Sequence, residues 1–371
     1  MSGIPSWAAT AWRRPTPGLV VAIVCTLYIT VVLVSARGDP LAFALIGTRF
    51  SAGDASGSEG YDGQFVYFIA RDPLDAARFL DVPAYRYQRI LYPLLAWLLS
   101  GGQAGMLPWA LIVLNLAAIV AGTCVVEQLL RGFGVSRWYA LAYGLYGGQL
   151  VALRTDLNEP LALALASAAI LGWQHERRWL AAVLFGLAAL TKETSLVFVA
   201  AYGIAALAQR RRGDVIALGC ATLPFALFQV ALWVVFGRPG IGAGGAGATP
   251  FSLLPLGGWL EIAGVSGPAF LTISIVAAPF IILPAVIAIA MGVRDLLRWP
   301  WHPIALSLLL SSLMILVLPA STFREPAALL RLGGGLVLSV ILYGARRRLS
   351  RVLNYSLLWI LSNLVLLKGV A

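Results

Sequence analysis

Charge is scarce in this 371-residue chain: 27 basic and 16 acidic residues make up 12% of it, against 60% hydrophobic residues. No polar region is long enough to fold as a separate soluble domain, so the composition belongs to the multi-pass membrane class. Histidine occurs only as His175 and His302, and cysteine only as Cys25, Cys124 and Cys220, scattered through apolar segments. That supply offers neither a disulfide framework nor a Cys/His metal site. The glycine-rich stretch 237–247 reads as a flexible loop; without the lysine and strand–helix setting of a phosphate loop, it argues against a nucleotide ligand. Tandem repeats are missing as well. The net charge of +11 would suggest nucleic acid, but its distribution follows membrane topology instead.

What the chain does have is apolar runs. The first, 18–35, follows Arg13 and Arg14; no small-residue cleavage site ends it cleanly, so it is expected to be a retained span. Further runs lie at 108–130, 138–153, 160–173, 179–191, 194–209, 215–236, 269–292, 303–319, 327–344 and 352–368. Basic clusters at Arg131/Arg137, Arg177/Arg178, Arg210–Arg212, Arg294/Arg298 and Arg346–Arg348 with Arg351 fall at every second connection, as cytoplasmic loops require. The alternation holds only if Ile90–Ser100 is a short interfacial helix and not a crossing. On that topology fifteen of the basic and four of the acidic residues are cytoplasmic, while twelve of each face outward.

The expectation is therefore an all-α polytopic protein, one integral-membrane domain over 1–371, with about eleven spans. Its N-terminus is cytoplasmic and its C-terminus outside. Four runs between Trp138 and Gln209 are short for crossing helices, which is tolerable where they border protein or water rather than lipid. A single helix over 179–209 is the rival reading, and it would put the 175–178 and 210–212 basic groups on opposite sides.

One stretch breaks the apolar pattern. Over Gly60–Ser100, Asp62, Asp72, Asp75 and Asp81 alternate with Arg71, Arg78, Arg86 and Arg89. Phe65, Phe68 and Ile69, then Leu74, Ala77 and Leu80, recur at helical spacing, which predicts amphipathic helices on a membrane surface. The other outward turns add Arg154-Thr155-Asp156-Leu157-Asn158-Glu159, Thr191-Lys192-Glu193-Thr194, and Thr322-Phe323-Arg324-Glu325 with Arg331 inside the following run. Ionisable groups at membrane depth are functional candidates by default.

Taken in order, YDGQFVYFIA, YRYQRILYP, LNEPLALAL and LAALTKETSL resemble the integral-membrane glycosyltransferases of the GT-C superfamily. The resemblance covers roughly 18–209, with the platform 60–100 inside it; 210–371 matches only as a series of spans. It implies a sugar donor linked to polyprenyl phosphate, a glycan, lipid or protein acceptor, and an active site on the extracytoplasmic face of a cell membrane. It implies Asp62 as the base that removes the acceptor hydroxyl proton, since phosphate leaves readily and needs cations more than an acid. Arg86 and Arg89 are candidates for the carrier phosphate. Asp156 and Glu159 are candidates for orienting the acceptor or holding a divalent cation. Tyr61, Gln64, Arg154, Lys192, Glu193, Arg324 and Arg331 complete the substrate-binding set.

Each of these residues also has a structural reading. Asp62 stands where a helix N-cap belongs, and Asn158-Glu159-Pro160 is a helix-start signal. Lys192 and Glu193 are placed to pair with each other, Arg86 and Arg89 to snorkel, and Asp72 before Pro73 to stop a helix. Tyr61, Phe65, Tyr67 and Tyr87 suit either sugar stacking or the interfacial belt. Both histidines fall on the cytoplasmic side, which leaves no outward histidine base. A transporter or lipid flippase remains a rival, although two related halves with interrupted helices are not evident. A membrane transferase for another lipid-phosphate substrate is the second rival.

Overall fold

The computed structural model describes residues 15–298 and 301–368; Arg13 and Arg14 lie outside the described residues. The protein is all-α, with no strand among the described residues. Helix α1, Pro17–Ser35, starts on Thr16, whose hydroxyl accepts from Leu19 N at 3.2 Å, with Pro17 at the first helical position. Its apolar residues run all round, and 19 residues rise ~28 Å, about the thickness of a bilayer core. The amphipathic platform follows as α2, Gly63–Arg71, α3, Pro83–Tyr87, and α4, Leu91–Leu99. With nine residues, α4 is less than half the length of a crossing helix. Asp72 ends α2, and its carboxylate accepts from Leu74 N and Asp75 N in a turn.

The core is built from α5 (Leu107–Gly132), α6 (Gly147–Arg154), α7 (Glu159–Gln174), α8 (Arg178–Thr191), α9 (Leu196–Ala208) and α10 (Arg212–Phe236). Helix α7 is apolar round most of its circumference and lies against α5 and α8. Such a helix belongs inside a bundle rather than on its surface. Beyond Gly237, whose left-handed φ of 72° closes α10, come α11 (Gly257–Val265) and α12 (Gly267–Ala277). A π turn over Ala278–Ile282 joins α12 to α13 (Leu283–Arg298), where Pro279 cannot donate to the helical ladder. Then follow α14 (Pro303–Leu316), α15 (Ala320–Arg324), α16 (Pro326–Leu332) and α17 (Gly334–Arg346). The C-terminal run is α18, Ser350–Ser356, and a 3₁₀ segment Leu357–Lys368.

The expectation of about eleven spans is corrected by helix length. Among the described residues, four elements, Pro17–Ser35, Leu107–Gly132, Arg212–Phe236 and Gly267–Arg298, are long and apolar enough to cross a membrane. Counting α16 and α17 as one bent span makes five. The remaining apolar runs form helices of 13–16 residues, as α7, α8, α9 and α14 do, or break up. Run 138–153 splits into a 3₁₀ turn, a four-residue helix and α6. The break between α16 and α17 bends the chain by 43° at Gly333-Gly334-Gly335, where Tyr146 donates its hydroxyl to Leu330 O at 2.6 Å. Short helices of this kind are tolerated where neighbouring helices cover much of their surface, as they do for α7 and α14.

The chain between α8 and α9 is a hairpin rather than one helix: Lys192 is extended (φ −155°, ψ 126°). Arg178, at the start of α8, lies 2.9 Å from Asp214, in the first turn of α10. The basic segments 175–178 and 210–212 therefore share one end of the fold. Arg346 and Arg347 pair with Asp295 at that end, and Arg348 donates to Phe133 O. The basic clusters thus gather at one pole of the bundle and the 191–195 turn points to the other. This all-α architecture with several long apolar helices fits a membrane protein.

Candidate functional site

At the pole opposite the basic clusters, four segments bring charges together. Asp62 precedes α2, yet its carboxylate caps nothing: its backbone is already helical (φ −54°, ψ −28°) and no cap hydrogen bond forms. Its oxygens face two arginines instead. Arg86 of α3 donates Nη1 to Oδ1 at 2.9 Å, and Arg331 of α16 approaches Oδ2 at 3.4 Å. Arg86 is itself held by Asp81 through Nε–Oδ1 and Nη2–Oδ2 contacts of 2.7 and 2.8 Å, and it lies over the Phe65 ring at 4.2 Å. A forked guanidinium fixed by one carboxylate and one ring presents its remaining N–H to Asp62 in a set direction.

Arg331 links this pair to a second one. Its Nη1 lies 3.6 Å from Glu159 Oε1, and the same oxygen accepts from Lys192 Nζ at 2.7 Å. Lys192 and Glu159 side chains are 6% and 5% exposed, so the pair is buried, and Lys192 does not make the expected pair with adjacent Glu193. Glu193 turns away from Lys192 to Arg89, which grips it with Nε at 2.9 Å and Nη2 at 2.6 Å and also donates to Tyr85 OH. Arg331 lies over the Tyr61 ring at 5.2 Å, and the Tyr61 hydroxyl donates to Glu325.

Asp62 differs from its neighbours in keeping 33% of its side chain exposed while Arg86 and Arg331 keep 9% and 8%. Burial works to raise its pKa; Arg86, then Arg331, Arg89 and Lys192 outweigh that and hold it well below the ordinary carboxylate range. Burial likewise pushes Glu193 up, and Arg89 overrides it, leaving the carboxyl at about 2. Asp156 has the opposite fate. It is fully buried in a left-handed turn residue (φ 49°), neither oxygen has a hydrogen-bond partner, and burial drives its pKa well up against a weaker pull from Arg154. Burial thus favours the protonated form of Asp156, and no group of three or more metal-ligating side chains is found among the described residues.

The structure thus assembles Tyr61, Asp62, Arg86, Arg89, Glu159, Lys192, Glu193 and Arg331. It leaves four candidates outside: Asp156, whose oxygens meet no partner, and Gln64, Arg154 and Arg324. Gln64 is buried and uses its amide on Gly47 N and Glu59 O, closing the loop before α2. Arg154 donates to Ala42 O at 2.7 Å. Arg324 pairs with Glu261 near the surface. Phe65, Tyr67 and Tyr87 are packed into the platform core, with Tyr87 stacked on Phe236 at 5.5 Å. His175 and His302 lie at the basic pole, away from Asp62.

Two participants escape a linear reading: Asp81, which clamps Arg86, and Glu325, which takes the Tyr61 hydroxyl. Both sit in charged segments beside arginines, so composition marks the neighbourhood without naming the partner. Asp81 has a further tie. Its Oδ2 accepts from Ala246 N at 2.8 Å, and Gln229 holds Gly240 N and Ile241 N, so the glycine-rich strap 237–247 lies across Arg86. One cavity of about 20 Å³ is lined by Asp62, Arg86, Arg89 and Asn158, and another of about 20 Å³ by Glu159, Lys192 and Arg331. Each has room for roughly one water. Comparison of the chain with protein-family models, with characterised proteins and with solved structures finds no match.

Proposed function

We propose that the protein is a membrane glycosyltransferase resembling the GT-C superfamily, which passes a sugar from a polyprenyl-phosphate donor to an acceptor at the extracytoplasmic face of a cell membrane. The observation that carries this reading is Asp62: one partly open carboxylate, kept ionised between Arg86 and Arg331, at the pole opposite the basic clusters. On this reading the basic pole is the cytoplasmic one, as the positive-inside rule favours, with the N-terminus inside and Asp62 outside. By length, the four long helices and the bent α16–α17 pair can cross the bilayer on their own, while the shorter α7, α8 and α9 run between the two poles packed against their neighbours.

The chemistry needs cations where the donor phosphate leaves and a base where the acceptor hydroxyl attacks. Arg331 and Lys192, buried beside Asp62 and Glu159, supply the first, with Arg86 and Arg89 on the opposite flank. In the resting pairing Asp62 is a weak base because its pKa is depressed. A phosphate that takes over Arg331 removes part of that positive field and raises the basicity of Asp62 when the acceptor is in place. Since the cavities are water-sized, a sugar is admitted by lifting the strap 237–247.

The test is turnover and binding of purified protein with a panel of polyprenyl-phosphate sugars, wild type against Asp62→Asn. Donor-dependent transfer that is lost in the variant supports the reading, and unchanged turnover removes Asp62 from the mechanism. A lipid flippase would move labelled lipid across vesicles without breaking the sugar–phosphate bond.

A further inference from the structure

A far wider opening than the two beside Asp62 lies at the other end of the molecule. At the basic pole a cavity of about 470 Å³ opens between the last turns of α5, α7 and α9 and the first turns of α8, α10 and α14. That volume is in the range of sites for small organic ligands. Three helix C-termini and three N-termini meet there, so their dipoles largely offset one another and side chains decide what binds.

Those side chains are arranged around Asp214, which is 3% exposed. The exposed Glu176 is on the same lining, so the selectivity for a phosphate rests on the free N–H donors and not on the net charge of the lining. Arg178 Nε lies 2.9 Å from Asp214 Oδ1, out of line for a hydrogen bond, and Arg211 Nη1 lies 3.8 Å from Oδ2. The buried carboxylate therefore holds two guanidinium groups at the cavity by charge alone. Their N–H donors remain available: neither arginine donates a hydrogen bond among the described residues. Trp173 and Tyr202, edge to face at 5.3 Å, form an apolar wall. In sequence beside the lining residues stand Trp179, Leu207 and Trp301, exposed by 61%, 62% and 47%. Large apolar side chains of this kind suit contact with acyl chains and interfacial lipid.

We propose that this cavity binds the phosphate of an anionic phospholipid, with Arg178 and Arg211 as its donors and the acyl chains lying along the apolar rim. Further basic groups, Arg177, Arg210 and Arg212, adjoin the two arginines in sequence and bias the pole toward anionic headgroups over zwitterionic ones. Basic pockets between helices at a membrane surface recognise lipid phosphates in this way. The proposal is independent of what happens at Asp62.

The test is native mass spectrometry of the full-length protein in detergent, titrated separately with phosphatidylglycerol, phosphatidylcholine and glycerol 3-phosphate. The expected result is saturable phosphatidylglycerol binding that weakens about thirtyfold in the Arg178→Gln/Arg211→Gln variant, from roughly two lost headgroup charges' worth of attraction. Because removing both arginines leaves Asp214 buried without a partner, Gln174→Trp serves as the second variant. It obstructs the cavity from an exposed position, keeps both arginines, and is expected to weaken the same lipid at least tenfold. Phosphatidylglycerol binding that is unchanged in Gln174→Trp, or equal retention of phosphatidylcholine, overturns the proposal. Binding of glycerol 3-phosphate as tight as that of the lipid overturns the lipid source, leaving a soluble phosphate ester.

Discussion

Arg331 meets Asp62 at 3.4 Å although 269 residues separate them in the chain. Arg331 reaches that position because the helix carrying it, α16, bends away from α17 just after it, where α6 packs against α16 and Tyr146 binds the Leu330 carbonyl. The contact joins the platform near the N-terminus to the C-terminal third. Arg331 also touches Glu159, so one guanidinium spans both acidic partners.

Asp62→Asn is expected to cost little stability. Arg86 keeps Asp81, Arg331 keeps Glu159, and no helix loses a cap. Thermal unfolding of the variant should stay within about 1 kcal/mol of wild type, the scale of a partly exposed ion pair. Transfer activity should fall about 10²-fold or more, as for loss of a general base. A variant that unfolds outright would recast Asp62 as a structural residue.

Lys192→Met should behave in the opposite way. It strands the buried Glu159 with only the longer Arg331 contact, and breaking a buried pair costs roughly 3 kcal/mol or more. The double variant Lys192→Met/Glu159→Leu should recover most of that loss, because neither charge is then left alone. Denaturation midpoints of the single and double variants measure the coupling, and simple additivity would show that the pair is not energetically linked.

Acid should weaken the fold through Glu193. Its folded pKa of about 2 lies below the unfolded value, so its contribution is present above roughly pH 4.3 and is lost as pH falls toward 2. In Glu193→Gln the stability difference from wild type should shrink across that window. A constant difference between pH 5 and 2.5 would assign the stabilisation to something other than the Arg89 ion pair.

Asp156 carries the reverse sign. Its raised pKa means that stability is full below the unfolded value near pH 3.9 and declines as pH rises, because a buried carboxyl must stay protonated or charge unfavourably. Asp156→Asn should therefore be neutral or stabilising at pH 7, read by thermal shift. Strong destabilisation, or loss of a divalent-cation effect on turnover, would restore the cation-ligand role expected from the sequence.

The strap is tested at Gly240. A β-carbon there would sit 2.5 Å from Ala84 O and 2.7 Å from Gln88 Cβ, so Gly240→Ala cannot keep the strap seated against α3. Faster proteolytic cleavage within 237–247 is expected, together with altered donor KM. An unchanged cleavage rate would mean that the strap is already lifted in solution.

The helices α1, α5, α7, α8, α9, α10 and α14, the hairpin at Lys192 and the gathering of basic clusters at one pole were legible because they depend on local hydrophobic periodicity and on charge spacing, whereas the runs 138–153, 327–344 and 352–368 broke up. Helix starts at Pro17 and Glu159 followed the same short-range rules, and so did the stop at Asp72. Crossing number was not legible: an apolar run reads alike whether lipid or protein surrounds it, and only packing set how much of α7, α8, α9 and α14 each neighbour covers. Nor were the ion-pair partners. Lys192 passes over adjacent Glu193 for Glu159, and Arg324 goes to Glu261 while its neighbour Glu325 takes Tyr61. Residue type fixed which charges the protein owns, but the rotation of each helix about its axis, set by how the whole bundle packs, decided which of them meet.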